Sequence, residues 1–133
     1  MPIEDFADFL LENTRGQLTE VGIGFQFKVA LRLIERGRDV TAVDRNPRAV
    51  EKARALGINA YVDDIFRPNL GLYERSQALY SIRPTPEIIK PILKLGRSLG
   101  VPVFIVPLAG DTVPRPMRLI NFRGLAIYTT KPI

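Results

Sequence analysis

The chain has 133 residues, of which 46% are hydrophobic and 25% charged, proportions of a single globular domain that exclude disordered, collagen-like and coiled-coil classes. It contains no cysteine and no histidine, which removes a disulfide framework, a thiolate or imidazole metal site, a cysteine nucleophile and a serine–histidine relay. The net charge of +5 is uneven: residues 1–64 carry 9 basic and 11 acidic side chains, net −2, and residues 65–133 carry 10 and 3, net +7.

The first predicted element is a helix over residues 2–15, because Pro2 suits a first turn and Phe6, Phe9 and Leu10 share one face. Gln17–Val21 follows as a strand leading into Gly22-Ile23-Gly24. Phe27, Ala30, Leu31 and Ile34 recur at helical spacing up to the stop at Gly37. Asp39–Val43 is a second strand ending at Asp44, and Asn46 with Pro47 opens a third helix that closes at Gly57. Ile58–Val62 is a third strand ending at Asp63-Asp64. Ile65 to Ser76 reads as a loop with at most one helical turn, since it holds Pro68, Asn69 and Gly71.

Gln77–Ile82 is a fourth strand, followed by Arg83-Pro84. A helix from Thr85-Pro86 through Leu99 carries Pro91, which is expected to kink it. Val101–Val106 is a fully apolar fifth strand. Pro107 to Pro116 leaves no room for a helix, and Met117–Phe122 with Leu125–Thr130 form a hairpin around Arg123-Gly124. Strands alternating with helices specify an α/β fold: one doubly wound, mostly parallel sheet with helices on both faces, ending in an antiparallel hairpin. A single domain over 1–133 is expected, with no added target-recognition segment at either end. No window reaches 18 uninterrupted apolar residues, and the acidic opening MPIEDFADFL is unlike a signal peptide, so the expected compartment is the cytoplasm, with no membrane partner.

In such sheets ligands bind beyond the carboxyl ends of the strands, where the strand order reverses. Unusual residues fall at four successive strand ends: Gly22 and Gly24, Asp44, Asp63-Asp64, and Ser81 to Pro84. Glycines let the backbone bend sharply and approach a ligand without Cβ obstruction, although strand–helix glycines also serve packing. Asp44 lies 22 residues beyond Gly22, the separation of a carboxylate that grips a ribose diol. Its alternative role is to cap a helix, a position Asn46 already holds. A dinucleotide site needs a third glycine at position 27, where this chain has Phe27, and a phosphate loop needs Gly-Lys-Ser/Thr after the bend. The pattern therefore favours a ligand without a pyrophosphate over NAD or FAD.

Glu20-x-Gly22-x-Gly24, followed by Val43-Asp44-Arg45-Asn46-Pro47, resembles motifs I and II of class I S-adenosylmethionine-dependent methyltransferases. Taken whole, the chain is similar to a small archaeal family of truncated methyltransferase-like proteins, with the resemblance running over about residues 15–106. It implies S-adenosylmethionine as cofactor, with Gly22–Gly24 beneath the methionine moiety and Asp44 on the ribose hydroxyls. It also implies Asp63 or Asp64 at the adenine amino group, Ile65 against the ring, and Glu20 and Arg45 within the same cofactor-binding set. Two departures stand out. The third glycine of the fuller motif falls at Gln26, and Arg83-Pro84 stands where base-modifying methyltransferases carry Asn or Asp followed by two prolines.

Methyl transfer depends mainly on aligning two reactants, so a chain without histidine or cysteine can perform it. Ser81, Arg83 and Pro84 are the candidate catalytic, substrate-side residues, with Tyr80 beside them. Tyr80 could instead belong to the core, and Arg83 could be a surface charge or bind a ligand carboxylate or an RNA phosphate. Two functions follow: a minimal methyltransferase acting on RNA or another anionic substrate through the basic C-terminal half, or a noncatalytic cofactor-binding or scaffold protein. A protein partner or homo-oligomer is compatible with either. No metal is expected.

Overall fold

The computed structural model describes residues 2–108, 113, 115 and 117–131; most of the linker expected from Pro107 to Pro116 lies outside them. Seven strands form one sheet: β1 (Leu18–Val21), β2 (Val40–Asp44), β3 (Asn59–Val62), β4 (Ala78–Ile82), β5 (Val103–Val106), β6 (Arg118–Phe122) and β7 (Leu125–Thr129). Their order is β3-β2-β1-β4-β5-β7-β6. The first five are mutually parallel, and β7 runs antiparallel to both β5 and β6. The winding reverses between β1 and β4, which places the ligand crevice of such sheets above the ends of those two strands.

Helices α1 (Glu4–Asn13), α2 (Lys28–Glu35), α3 (Pro47–Ala55) and α4 (Pro86–Leu99) complete the layers. Phe6, Phe9 and Leu10 of α1, Val29 and Leu33 of α2, and Val50 and Ala53 of α3 pack with Leu18, Ala42 and Phe104 on one face of the sheet. Ile89, Ile92, Leu93 and Leu95 of α4 pack with Val21, Val43, Leu79 and Ile105 on the other. The period-2 alternation of each buried strand supplies both cores at once. Among the described residues, no helix is long and apolar enough to cross a membrane.

The expected elements are present, with trimmed ends. The first helix stops at Asn13 because Asn13 Nδ2 and Thr14 Oγ1 donate to the carbonyls of Phe9 and Leu10, turning the chain extended at Thr14. The fifth strand starts at Val103 rather than Val101: the Pro102 carbonyl accepts from the Leu79 N–H, but proline has no N–H to return to a ladder. Helix α4 continues through Pro91 to Leu99. Asn46 caps α3 through its side chain, which accepts from the Arg48 N–H at 3.0 Å.

Two local devices close the β3–β4 connection and fix the hairpin. Between β3 and β4 the chain makes a single 3-10 turn at Leu70–Leu72, and Tyr73 then buries its ring completely in the α4-side core. The hairpin extends the sheet beyond β5, with its second strand, β7, lying between β5 and the edge strand β6. Its turn residues Arg123 and Gly124 both adopt positive φ, 53° and 81°, the conformation of a tight two-residue hairpin turn. Arg123 accepts that strain because its guanidinium meets Asp5 at 3.0 Å and Asp8 at 2.7 Å and lies over the Phe122 ring, tying the hairpin to α1.

Gly96, inside α4, is dictated by packing against β5. A Cβ there would stand 2.5 Å from Val103 Cγ2 and 3.3 Å from the Val101 carbonyl oxygen. Val103 is buried and stiff at χ1. Gly96→Ala is therefore expected to destabilise the fold by about 1–2 kcal/mol, overpacking outweighing alanine's better helix propensity. Thermal melts check this: a variant as stable as the wild type contradicts the packing assignment.

Candidate functional site

The bend after β1 is the starting point. Gly22 and Gly24 have φ of 72° and 55°, a left-handed region costly for residues with a Cβ. A Cβ on Gly24 would meet nothing within 4 Å, so the glycine answers to the dihedral angle and leaves open space beside the backbone. The Asp44 carboxylate, ending β2, reaches over this bend. Its Oδ2 accepts from the Gly24 N–H at 2.7 Å and its Oδ1 from the Asn46 N–H at 2.8 Å. Gly22 N–H and Ile23 N–H both donate to the Val43 carbonyl, which brings the bend and the end of β2 together.

Beyond the bend, Phe27 stands just before α2, half-buried and packed on the core. The Gln26 side chain accepts from the Lys28 N–H at 3.0 Å, so the start of α2 is served by its own residues. Helix α2 begins several residues after the bend, unlike a helix that receives a pyrophosphate directly.

A cleft of about 290 Å³ opens above these strand ends, lined by Val21, Gly22, Val43, Asp44, Arg45, Asp63, Ile65, Arg83, Pro84, Thr85, Glu87 and Ile88. Its size lies at the lower end of small-molecule clefts. The strand ends thus bring together seven of the residues singled out from sequence: Gly22, Asp44, Arg45, Asp63, Ile65, Arg83 and Pro84. Gly24 joins them through its bond to Asp44. The cleft also contains Thr85, Glu87 and Ile88, which sequence reasoning missed because they lie in and before the first turn of α4. The signal available for them was the Thr85-Pro86 helix start, which aims that turn at the ends of the strands. Glu87 is held below the usual carboxylate range, chiefly by its own backbone N–H and by the Thr85 hydroxyl.

Other singled-out residues are placed elsewhere. Ser81 is fully buried, and its hydroxyl donates to the Val21 carbonyl at 2.7 Å; it ties β4 to β1 and is not exposed to a substrate. Asp64 is exposed outside the cleft lining and accepts from the Phe66 N–H at 3.0 Å. Asp63, which does line the cleft, accepts from the Asn69 N–H at 3.1 Å and from the Tyr73 hydroxyl. The Tyr73 hydroxyl is pushed upward in pKa by its burial and by that bond. Arg83 adopts a φ of 48°, rare for a residue with a side chain. Its N–H donates to the Val106 carbonyl at 2.6 Å, and this holds the strained residue at the cleft rim.

Glu20 shares the parity of Leu18 and points into the core beneath α1 and α2, away from the cleft. It is 1% exposed, directly across from the fully buried Tyr80. Neither its carboxylate oxygens nor the Tyr80 hydroxyl has a hydrogen-bond partner among the described residues. Tyr80 is a core aromatic: it packs edge-on against Phe6, with ring centroids 5.7 Å apart.

Residues 3–132 match the family described as Uncharacterised protein family (UPF0146). The chain belongs to that family. A UPF0146 protein of Pyrococcus horikoshii is 50% identical over 121 residues, covering 91% of this chain and 92% of the relative. Among solved structures, an RNA methyltransferase from Salinibacter ruber in complex with S-adenosyl-L-homocysteine superposes with a TM-score of 0.68 at 17% identity, covering 93% of this chain and 88% of that one. A TehB-like SAM-dependent methyltransferase from Corynebacterium glutamicum gives 0.66 at 16% identity, covering 94% and 85%. This chain therefore shares the Rossmann-like fold of those methyltransferases.

The buried carboxyl of Glu20 has a measurable consequence. Burial pushes its pKa up to about 8, and the charge of Asp44 adds to the rise. The folded chain then holds a proton that the unfolded chain releases near 4.5. Stability from this group is fully present below about 4.5 and is lost as the pH rises through about 8. Glu20→Gln keeps the shape without a charge. It is expected to match the wild type near pH 5 and to exceed it at pH 8 by at least about 1 kcal/mol, several degrees in Tm. Melts across that range check this, and a variant less stable than the wild type at pH 8 contradicts it.

Proposed function

We propose that the chain binds S-adenosylmethionine in the cleft above β1, β2 and β4 and serves as a minimal methyltransferase acting on RNA or another anionic substrate. One observation carries the reading: the carboxylate that ends β2 lies over the glycine bend, locked there by the Gly24 and Asn46 N–H groups. Each oxygen of a carboxylate has two lone pairs, so both retain capacity for a ribose hydroxyl. Apolar Ile65 and Ile88 with Val21 and Val43 give an adenine ring surfaces to lie against, and Asp63 lines the same cleft.

The charges of the lining fit this ligand. Asp44, Asp63 and Glu87 line one cleft together with Arg45 and Arg83, a mixed lining suited to a molecule that carries a sulfonium and an ammonium beside a carboxylate. Arg83, fixed in its left-handed conformation, is the guanidinium placed to take that carboxylate or an anionic substrate. When bound, the cofactor supplies an activated methyl group. The contribution of the chain is to hold it and to align an acceptor, a mode of catalysis in which orientation supplies most of the acceleration. Pro84, buried beside Arg83, stiffens the backbone where an acceptor would approach.

A second reading, a cofactor-binding scaffold, is favoured by Ser81: its hydroxyl is spent on the Val21 carbonyl and is closed off from the cleft. Transfer of labelled methyl from S-adenosylmethionine to total RNA separates the two. Incorporation supports the enzyme, whereas cofactor binding without incorporation supports the scaffold.

Cofactor binding is tested by thermal shift. S-adenosylmethionine or S-adenosylhomocysteine at about 100 times its Kd is expected to raise stability by about 2.7 kcal/mol, several degrees, while NAD leaves the melt unchanged. Asp44→Ala would also strip two backbone N–H groups of their acceptor and loosen the bend. Asp44→Asn keeps one acceptor and is the better probe. It is expected to weaken cofactor binding about tenfold or more, the loss of a charged hydrogen bond, and to lower ligand-free stability by about 1–3 kcal/mol, since one of the two backbone N–H groups loses its acceptor, while the chain stays folded. Indifference of the wild type to all three ligands overturns the reading.

A further inference from the structure

We propose that the groove between α4 and the segment joining β3 to β4 is a docking site for single-stranded RNA. The groove encloses about 620 Å³, with Phe66, Pro68 and Leu70 on one wall and Lys90, Lys94 and Arg97 of α4 on the other. Its lining holds three cations and no carboxylate. Among the described residues, none of the three cations takes part in a salt bridge.

The spacing is that of a built surface. Positions 90, 94 and 97 fall four and three apart and so share one helix face, about 6 and 4.5 Å apart along the axis. This is of the same order as the repeat of charge along a nucleic-acid strand. Phe66 and Leu70 are 50% and 59% exposed, apolar side chains held in solvent on a loop. A flat ring facing a row of cations is the arrangement single strands use: bases stack on the aromatic face while phosphates meet the cations. A duplex offers no free base face to Phe66. A lipid surface requires the apolar and basic groups on one outward face, whereas here they oppose each other across a concave groove.

Ile65 lines both this groove and the cleft above β1, β2 and β4, so the two adjoin at that residue. Docking stands on the groove alone; delivery of a base to a methyl group rests additionally on the cofactor reading.

The test is fluorescence anisotropy with a labelled mixed-sequence RNA of about 12 nucleotides, titrated with the full chain. Single-stranded RNA is expected to bind with log affinity falling against log salt at a slope of about −2, three phosphate contacts at about 0.7 each. Phe66→Ala is expected to bind at least about fivefold more weakly, the lower end for loss of one stacked base. Lys90→Gln with Lys94→Gln is expected to cut the slope to about −0.7. All these side chains are exposed, so melts of the variants should overlay the wild type. No binding by the wild type, duplex binding as tight and insensitive to Phe66→Ala, or binding to anionic phosphatidylglycerol vesicles but not RNA would each overturn the proposal. S-adenosylhomocysteine melts run in parallel keep the two ideas apart. A cofactor shift without RNA binding sinks the groove only, and RNA binding without a shift sinks the cofactor reading only.

Discussion

The site depends on one hydrogen bond, from the Gly24 N–H to the Asp44 carboxylate. It joins two strand ends that are adjacent in the sheet and 20 residues apart in the chain. It also holds the glycine bend in a left-handed conformation that no neighbouring side chain enforces, since the space beside Gly24 is empty. Charge-assisted bonds of this type are stronger than neutral ones. Because the second oxygen of Asp44 is held by Asn46, which in turn caps α3, the bend, the carboxylate and the helix behind it form one rigid unit. Loop structure at the mouth of the cleft is then carried by one side chain.

Around that unit the chain treats the two faces of its sheet differently. Three helices cover one face, whereas a single helix and a folded-in loop cover the other. The loop succeeds because Tyr73 inserts a full aromatic ring and its hydroxyl finds Asp63, a residue that also borders the cleft. One short segment thus closes a core, borders the cleft above β1, β2 and β4 and leaves Phe66 and Leu70 in solvent on the side of the α4 cations. A complete helix there would bury its apolar stripe and fill the groove.

Beneath the cleft lies the opposite kind of feature. Glu20 and Tyr80 are buried side by side without satisfied hydrogen bonds, in a core where unpaired polar groups are costly. Glu20 stands in the motif that suggested a cofactor ligand, yet its strand parity turns it to the face away from the cleft. Ser81 is a different case: it shares the α4-side face of Leu79 and Ile105, but it is fully buried with its hydroxyl donating to the Val21 carbonyl.

The sequence alone was enough for the strands, the helices, their alternation and the clustering of unusual residues at strand ends, because these rest on periodicity, on caps such as Asn46-Pro47 and on glycine spacing, all local properties of the chain. It was also enough for the Asp44–Gly24 relation, since separation along a strand–helix–strand unit converts directly into distance. Tertiary structure decided what local spacing cannot encode. Which way Glu20 and Ser81 point depends on how β1 and β4 are seated between two cores; that Glu87 and Ile88 reach the cleft depends on the path of α4 across the sheet. The placement of β7 between β5 and β6, and the meeting of Phe66 with Lys90 and Lys94, join segments far apart in sequence, whose approach is set by the packing of the whole sheet.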